Sequence, residues 1–207
     1  MSNNQIKTFL IGGPPGAGKT TLGSALAAKL GFRSLTIDDI KTAVLAVTTP
    51  ETHPGLHAMS RLPFLEYCTD SSVEQLKIDT MLQHEAVWAS VKRVIRKHAM
   101  MGDGIVIDGW HLLPSRVAEL KLDNVWTGWI FIEPEVLEAR EKSGNWYQNS
   151  SNPERMFENF MARSLWFNTL MKEEASRLNM NILYQDGNKS VDDLCNMVLE
   201  NSQKEAR

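Results

Sequence analysis

Gly13-Pro14-Pro15-Gly16-Ala17-Gly18-Lys19-Thr20 fits G-x-x-x-x-G-K-[ST], a pattern whose main-chain amides wrap phosphate oxygens. Its surroundings are what such a loop needs. Residues 6–11 are apolar and β-leaning, broken only by Lys7 and Thr8, and predict a strand. Beyond the loop, Leu22, Ala25, Leu26 and Leu30 recur at helical spacing and Gly31 follows as a stop. A strand feeding a glycine loop feeding a helix aims backbone N–H groups and the positive end of a helix at one point, which attracts a triphosphate. The glycines let the backbone curl and admit oxygens where a Cβ would stand in the way. Residues 13–21, ending in Lys19, Thr20 and Thr21, are therefore the expected nucleotide-phosphate contacts. Lys19 is placed to reach the β- and γ-phosphates and Thr20 to hold Mg²⁺.

The remaining chain alternates strand and helix patterns. Strands are expected at 32–37, 105–108, 127–132 and 181–184. Helices are expected at 40–47 with Asp39 as N-cap, at 72–101, 114–120 and 134–142, and at 153–178 and 191–200. Residues 48–71 carry Pro50, Pro54, Gly55 and Pro63 and predict an irregular excursion with a helical turn near 57–61. The polar stretch 143–153 is the expected core of a lid spanning about 140–163. Five apolar strands separated by helices imply one α/β domain over 1–207, with a mostly parallel sheet covered on both faces. Ligands of such sheets bind at the C-terminal ends of the strands.

Bulk properties narrow the choice of function. The chain has 207 residues, 43% of them hydrophobic, and a formal net charge of −3. That balance disfavours broad attraction to nucleic acid or anionic lipid. No apolar run is long enough for a membrane span, and residues 1–5 lack a basic-then-apolar leader. Cys68 and Cys195 lie far apart, outside any metal-ligand spacing, and read as free thiols of a cytoplasmic protein.

Each strand delivers chemistry to the same edge. The second delivers Asp38 and Asp39, the third Asp108 followed by Trp110 and His111, the fifth Asp186 and Gly187. Asp108 closes an apolar strand as a Mg²⁺-holding acid does, beside Thr20. Asp38 leaves its strand first, so it is expected to face the cleft and to aim and deprotonate an acceptor hydroxyl. Asp39 is its alternative, with Trp110, His111, Lys41 and Arg116 as further substrate contacts. His53, His57, His84 and His98 show no partner pattern. Arginines stabilise a transferring phosphoryl group, and Arg140, Arg155 and Arg163 flank the lid; the sequence does not choose among them.

Taken together, the loop, Thr36-Ile37-Asp38-Asp39-Ile40-Lys41, Ile107-Asp108-Gly109-Trp110-His111-Leu112 and the arginine-bearing lid resemble the small P-loop kinases of the adenylate kinase-like group. Among these the chain looks most like 2-phosphoglycerate kinase and its relatives, whose S/T-D-x-[IL]-R, acid-Gly-x-His-Leu and F-x-x-I-R segments stand here at 36–41, 108–112 and 160–163. The resemblance implies a three-layer P-loop fold with strand order 2-3-1-4-5, Mg-ATP as donor and a small-molecule acceptor. It maps Asp38 to a substrate aspartate, Arg140 and Arg163 to lid arginines, and Asp186-Gly187 to the flank of the adenine. The chain departs from the pattern at Lys41, where the family has arginine, at Asp108, where it has Glu, and in a thin basic run, with Glu141 after Arg140. Lysine presents a point charge rather than a fork, which does not give bidentate capture of a substrate phosphate. Two other outputs use the same residues. One is a nucleotide-binding ATPase or regulator without an acceptor. The other is a nucleotide, polynucleotide or antibiotic kinase of the same fold.

Overall fold

The computed structural model describes residues 6–205; the polar start of the chain, read above as lacking a leader, lies outside them. In order, the chain forms β1 (Thr8–Gly12), α1 (Lys19–Leu30), β2 (Arg33–Thr36), α2 (Ile37–Leu45), α3 (Phe64–Asp70) and α4 (Val73–Met101). There follow β3 (Ile105–Asp108), α5 (Pro114–Ala118), β4 (Val125–Ile132) and α6 (Pro134–Gly144). A 3-10 turn (Trp146–Asn149) leads to α7 (Pro153–Arg177), β5 (Asn181–Gln185) and α8 (Val191–Glu205). The strands form one parallel sheet of order β2-β3-β1-β4-β5, as the resemblance implies.

Period-two alternation splits the core into two layers. Phe9, Ile11, Val106, Trp126 and Ile130 face α1 and α8 through Leu22, Leu26, Leu194 and Val198. Leu10, Ile105, Ile107 and Trp129 face α4 and α7 through Val87, Val91, Ile95, Phe167 and Met171. Two helices end as their glycines dictate: Gly31 and Gly102 take left-handed C-caps with φ 66° and 63°. Among the described residues no helix is long and apolar enough to cross a membrane, and Cys68 and Cys195 are buried and free.

The structure corrects the expectations in two places. First, α2 starts at Ile37. The Thr36 hydroxyl accepts from the Asp38 amide at 3.4 Å and caps the helix, so Asp39 is not the N-cap. Threonine caps well, and both aspartates then lie in the first turn, where the helix dipole favours negative charge. Second, the excursion contains a true helix, α3. Its partners are distant in sequence: the Asn159 amide donates to the carbonyls of Cys68 and Ser71, and Ser151 donates to Glu66. The helix expected from 153 is present as α7, and within the expected lid it buries Met156, Phe160, Met161 and Arg163.

Gly109 links fold to site. A Cβ there would stand 2.7 Å from the Ile37 Cβ, the residue that seats the first turn of α2. Gly109→Ala is expected to lower stability by about 1–3 kcal/mol, the usual cost of overpacking, and to displace Asp38. Chemical denaturation measures the first effect. A crystal structure of the variant reads the second.

Candidate active site

The glycine loop closes on itself. Gly16 (φ 77°) and Gly18 (φ 89°) occupy the left-handed region that only glycine enters cheaply. Gly18 caps α1 without a side-chain acceptor, so the first-turn amides of α1 point into the loop with no competing side chain. The Lys19 ammonium donates to the Pro14 carbonyl at 2.7 Å. Helix α6 packs directly on the loop. A Cβ on Gly16 would meet the Glu141 carboxylate at 2.2 Å, and the Arg140 guanidinium donates to the Ala17 carbonyl at 3.4 Å.

Burial pulls Lys19 down to about 8, against the opposing fields of Asp108, Asp38 and Glu141. The ammonium form is the one that binds polyphosphate. Affinity for a nucleoside triphosphate is therefore expected to be level below about pH 7 and to fall by up to about tenfold per pH unit above 8. Calorimetric titration from pH 6.5 to 9.5 reads this directly. The linkage sign is also fixed. The unfolded chain holds the Lys19 proton up to its ordinary 10.5, so between 8 and 10.5 the nucleotide-free fold gains stability as pH rises.

Strand β3 carries Asp108 to the same point. The Thr20 hydroxyl donates to Asp108 Oδ1 at 2.8 Å. Asp108 is 1% exposed, and its Oδ2 has no hydrogen-bond partner among the described residues. Burial pushes this carboxyl upward, opposed by the Thr20 hydroxyl and the Lys19 charge. A buried carboxylate oxygen lacking a donor, beside a threonine hydroxyl, suits a hard divalent cation. Among the described residues no cluster of three His, Cys, Asp or Glu gathers to hold a metal. A cation here would draw its other ligands from phosphate oxygens and water, as Mg²⁺ does. Gly23, unremarked in the sequence, gives Asp108 its room: a Cβ there would lie 3.3 Å from Oδ2.

A cavity of about 540 Å³ adjoins the loop. Pro15, Gly16 and Lys19 form one wall, and Asp38, Lys41 and Leu45 of α2 another. Gln83, Trp110, Phe64, Phe160 and Arg163 also line it, beside Met59, Ser60 and Leu62. The Asp38 side chain is 54% exposed and accepts from the Lys41 ammonium at 2.7 Å. Lys41 thus holds Asp38.

Other expected contacts lie elsewhere. Asp39 is exposed on α2 and does not line the cavity. Arg116 pairs with Glu85 and lies over Trp88, away from the cavity. Its place on the helix after β3 does not bring its side chain to the sheet edge. His111 is fully buried behind Trp110, its ring 4.4 Å from that of His84. Burial, then the neighbouring imidazole, holds His84 well below its ordinary range. Burial likewise depresses His111, so both are neutral. His84 is therefore not a scattered histidine but part of a packed pair. Arg163 is 2% exposed, sits among Phe64, Trp110 and Phe160, and lines the cavity. Arg155 is exposed in the first turns of α7. Asp186 pairs with Lys189 at 2.9 Å in the turn after β5, and Gly187 packs near Val136 at the start of α6. Gln83 and Phe64 line the cavity without having been expected there, and Glu141, met in the sequence only as a break in the basic run, packs on the loop. Only the step of Phe64 to Pro63 hinted at an element start there.

The sheet order, the layers and the loop together define a P-loop NTPase fold. A gluconokinase from Sinorhizobium meliloti 1021 shares that fold over 98% of this chain and 95% of its own, with a TM-score of 0.57 at 12% identity. In sequence the chain is similar to a 2-phosphoglycerate kinase of Pyrococcus furiosus, 33% identical over 108 residues, or 52% of this chain. The match covers 36% of that relative, so the chain aligns with little more than a third of it. A mevalonate-3-phosphate 5-kinase of Thermoplasma acidophilum is 22% identical over 149 residues, 71% of this chain and 72% of that protein. No family model matches the chain.

Proposed function

We propose that this chain is an ATP-dependent kinase that moves the γ-phosphoryl group to a hydroxyl of a small metabolite of the 2-phosphoglycerate kind. One observation carries the reading: the phosphate-binding loop and Asp38 border the same 540 Å³ cavity. A bare ATPase needs no second compartment of that size, whereas an acceptor of metabolite dimensions does.

The roles follow from position. The loop amides and Lys19 hold the triphosphate. Thr20 and Asp108 are the residues for Mg²⁺, which when bound neutralises charge on the phosphate oxygens. The Asp38 carboxylate takes the proton of the acceptor hydroxyl as that oxygen bonds to the γ-phosphorus. The bond to the β–γ bridging oxygen breaks and ADP leaves. Lys41 fixes the orientation of Asp38. Arg140, from the α6 side of the loop, supplies charge beside the transferring group. Phe64 and Trp146 stack with ring centroids 6.1 Å apart over that side of the site, which restricts water and so wasteful hydrolysis. The kinase names of the relatives and the chain's acidic balance support a small-molecule acceptor over a polynucleotide.

The test is acceptor dependence. ADP release from Mg-ATP is measured with each of a panel of hydroxy acids, phosphorylated polyols and nucleosides. A rate that rises at least tenfold with one of them supports the reading. A rate indifferent to every one of them favours the ATPase alternative.

A further inference from the structure

We infer that Arg163 is an anion seat, so that the acceptor carries a negatively charged group, phosphate or carboxylate, in addition to the hydroxyl that is phosphorylated. The inference rests on the kinase reading for the word acceptor, but the seat itself stands on geometry.

Arg163 is 98% removed from solvent yet lines the cavity. Its Nε and Nη1 have no hydrogen-bond partner, and it makes no salt bridge among the described residues. Buried guanidinium groups are otherwise paired. Acids on the neighbouring helices α3 and α4 are already engaged. Asp79 accepts from Arg61, from the Tyr67 phenol at 2.9 Å and from Gln75 at 2.9 Å. Glu66 accepts from Ser151. Burial raises the Cys68 thiol and keeps it neutral. What Arg163 has instead is three aromatic faces, with Phe64, Trp110 and Phe160 centroids at 5.4 to 5.6 Å from its Cζ. Aromatic faces hold a cation in place without using up its N–H donors. The result is a fixed, dry guanidinium whose missing counter-charge must come through the cavity, an arrangement that suits charge-assisted capture of an oxyanion. The other cations are occupied, Lys19 by the loop and Lys41 by Asp38. Capture of the acceptor's anion therefore falls to Arg163.

The experiment saturates the protein with a non-hydrolysable ATP analogue, so that the loop's own anion sites are taken, and then titrates three probes by calorimetry. These are 2-phosphoglycerate, glycerol 2-phosphate (phosphate alone) and glycerate (carboxylate alone). At least one is expected to bind, and the single-anion probe that keeps affinity identifies the group seated. Arg163→Met is expected to weaken that probe by about a hundredfold, as the charge and its hydrogen bonding are lost. Analogue binding should be unchanged, and the thermal midpoint should hold or rise, because an unpaired buried charge is removed. If Arg163→Met does not fold, Arg163→Lys takes its place, with about tenfold weakening expected. Unchanged probe affinity in a folded variant, or no binding of any probe to the wild type, overturns the seat. Anion binding without phosphoryl transfer would leave the seat standing and remove the kinase reading.

Discussion

Replacing Lys19 by methionine is expected to weaken ATP binding by at least a hundredfold. The two side chains are similar in length, so the change removes the charge and its donors and little else. Each charge-assisted hydrogen bond to a phosphate oxygen contributes about 1.5–3 kcal/mol, so two of them correspond to about a hundredfold or more. The fold should survive. The ammonium is held by a single bond to the Pro14 carbonyl, and burial already disfavours its charge, so the thermal midpoint is expected to hold. Isothermal titration with a non-hydrolysable analogue decides the matter; affinity within a few-fold of wild type would remove the loop as the nucleotide site.

Asp38→Asn should act on the other half of the reaction. The amide keeps the shape and still offers an oxygen to Lys41, but it cannot take a proton. Loss of a positioned general base costs about a hundred- to ten-thousandfold, and this loss is expected in the maximal rate with acceptor. ATP affinity should stay within about threefold of wild type, since Asp38 lies across the cavity from the loop. A variant with normal turnover on a true acceptor would exclude Asp38 from the chemistry. Asp39→Asn, on the exposed side of the same turn, is the matched control.

Much of this geometry was legible in the sequence because local signals and topology agree there. The loop residues 13–20, the glycine stops at 31 and 102, and the acid at the end of β3 each rest on a few neighbouring residues and a fixed backbone demand. Parallel strands then bring their C-terminal ends to one edge whatever the intervening helices do. The unread parts depend on contacts between distant residues. Helix α3 is held by Asn159 and Ser151, about ninety positions away, and nothing within 48–71 announces them. Arg116 and Arg163 look alike as letters on helices. Only packing shows one paired with Glu85 and the other enclosed by aromatic rings. His84 and His111 are 27 positions apart and meet only when α4 packs against the sheet. The boundary of α2 was misplaced for a local reason, because Thr36 and Asp39 are both good caps and the burial of Ile37 chooses between them.

The most direct test follows the phosphorus atom itself. The protein is incubated with Mg-ATP and 2-phosphoglycerate, or with whichever acceptor the panel selects, under phosphorus-31 NMR. The account predicts that each ATP consumed yields one ADP and one new phosphoryl group on the acceptor, with little inorganic phosphate. ADP and inorganic phosphate appearing in equal amounts, at one rate with or without acceptor, would contradict it.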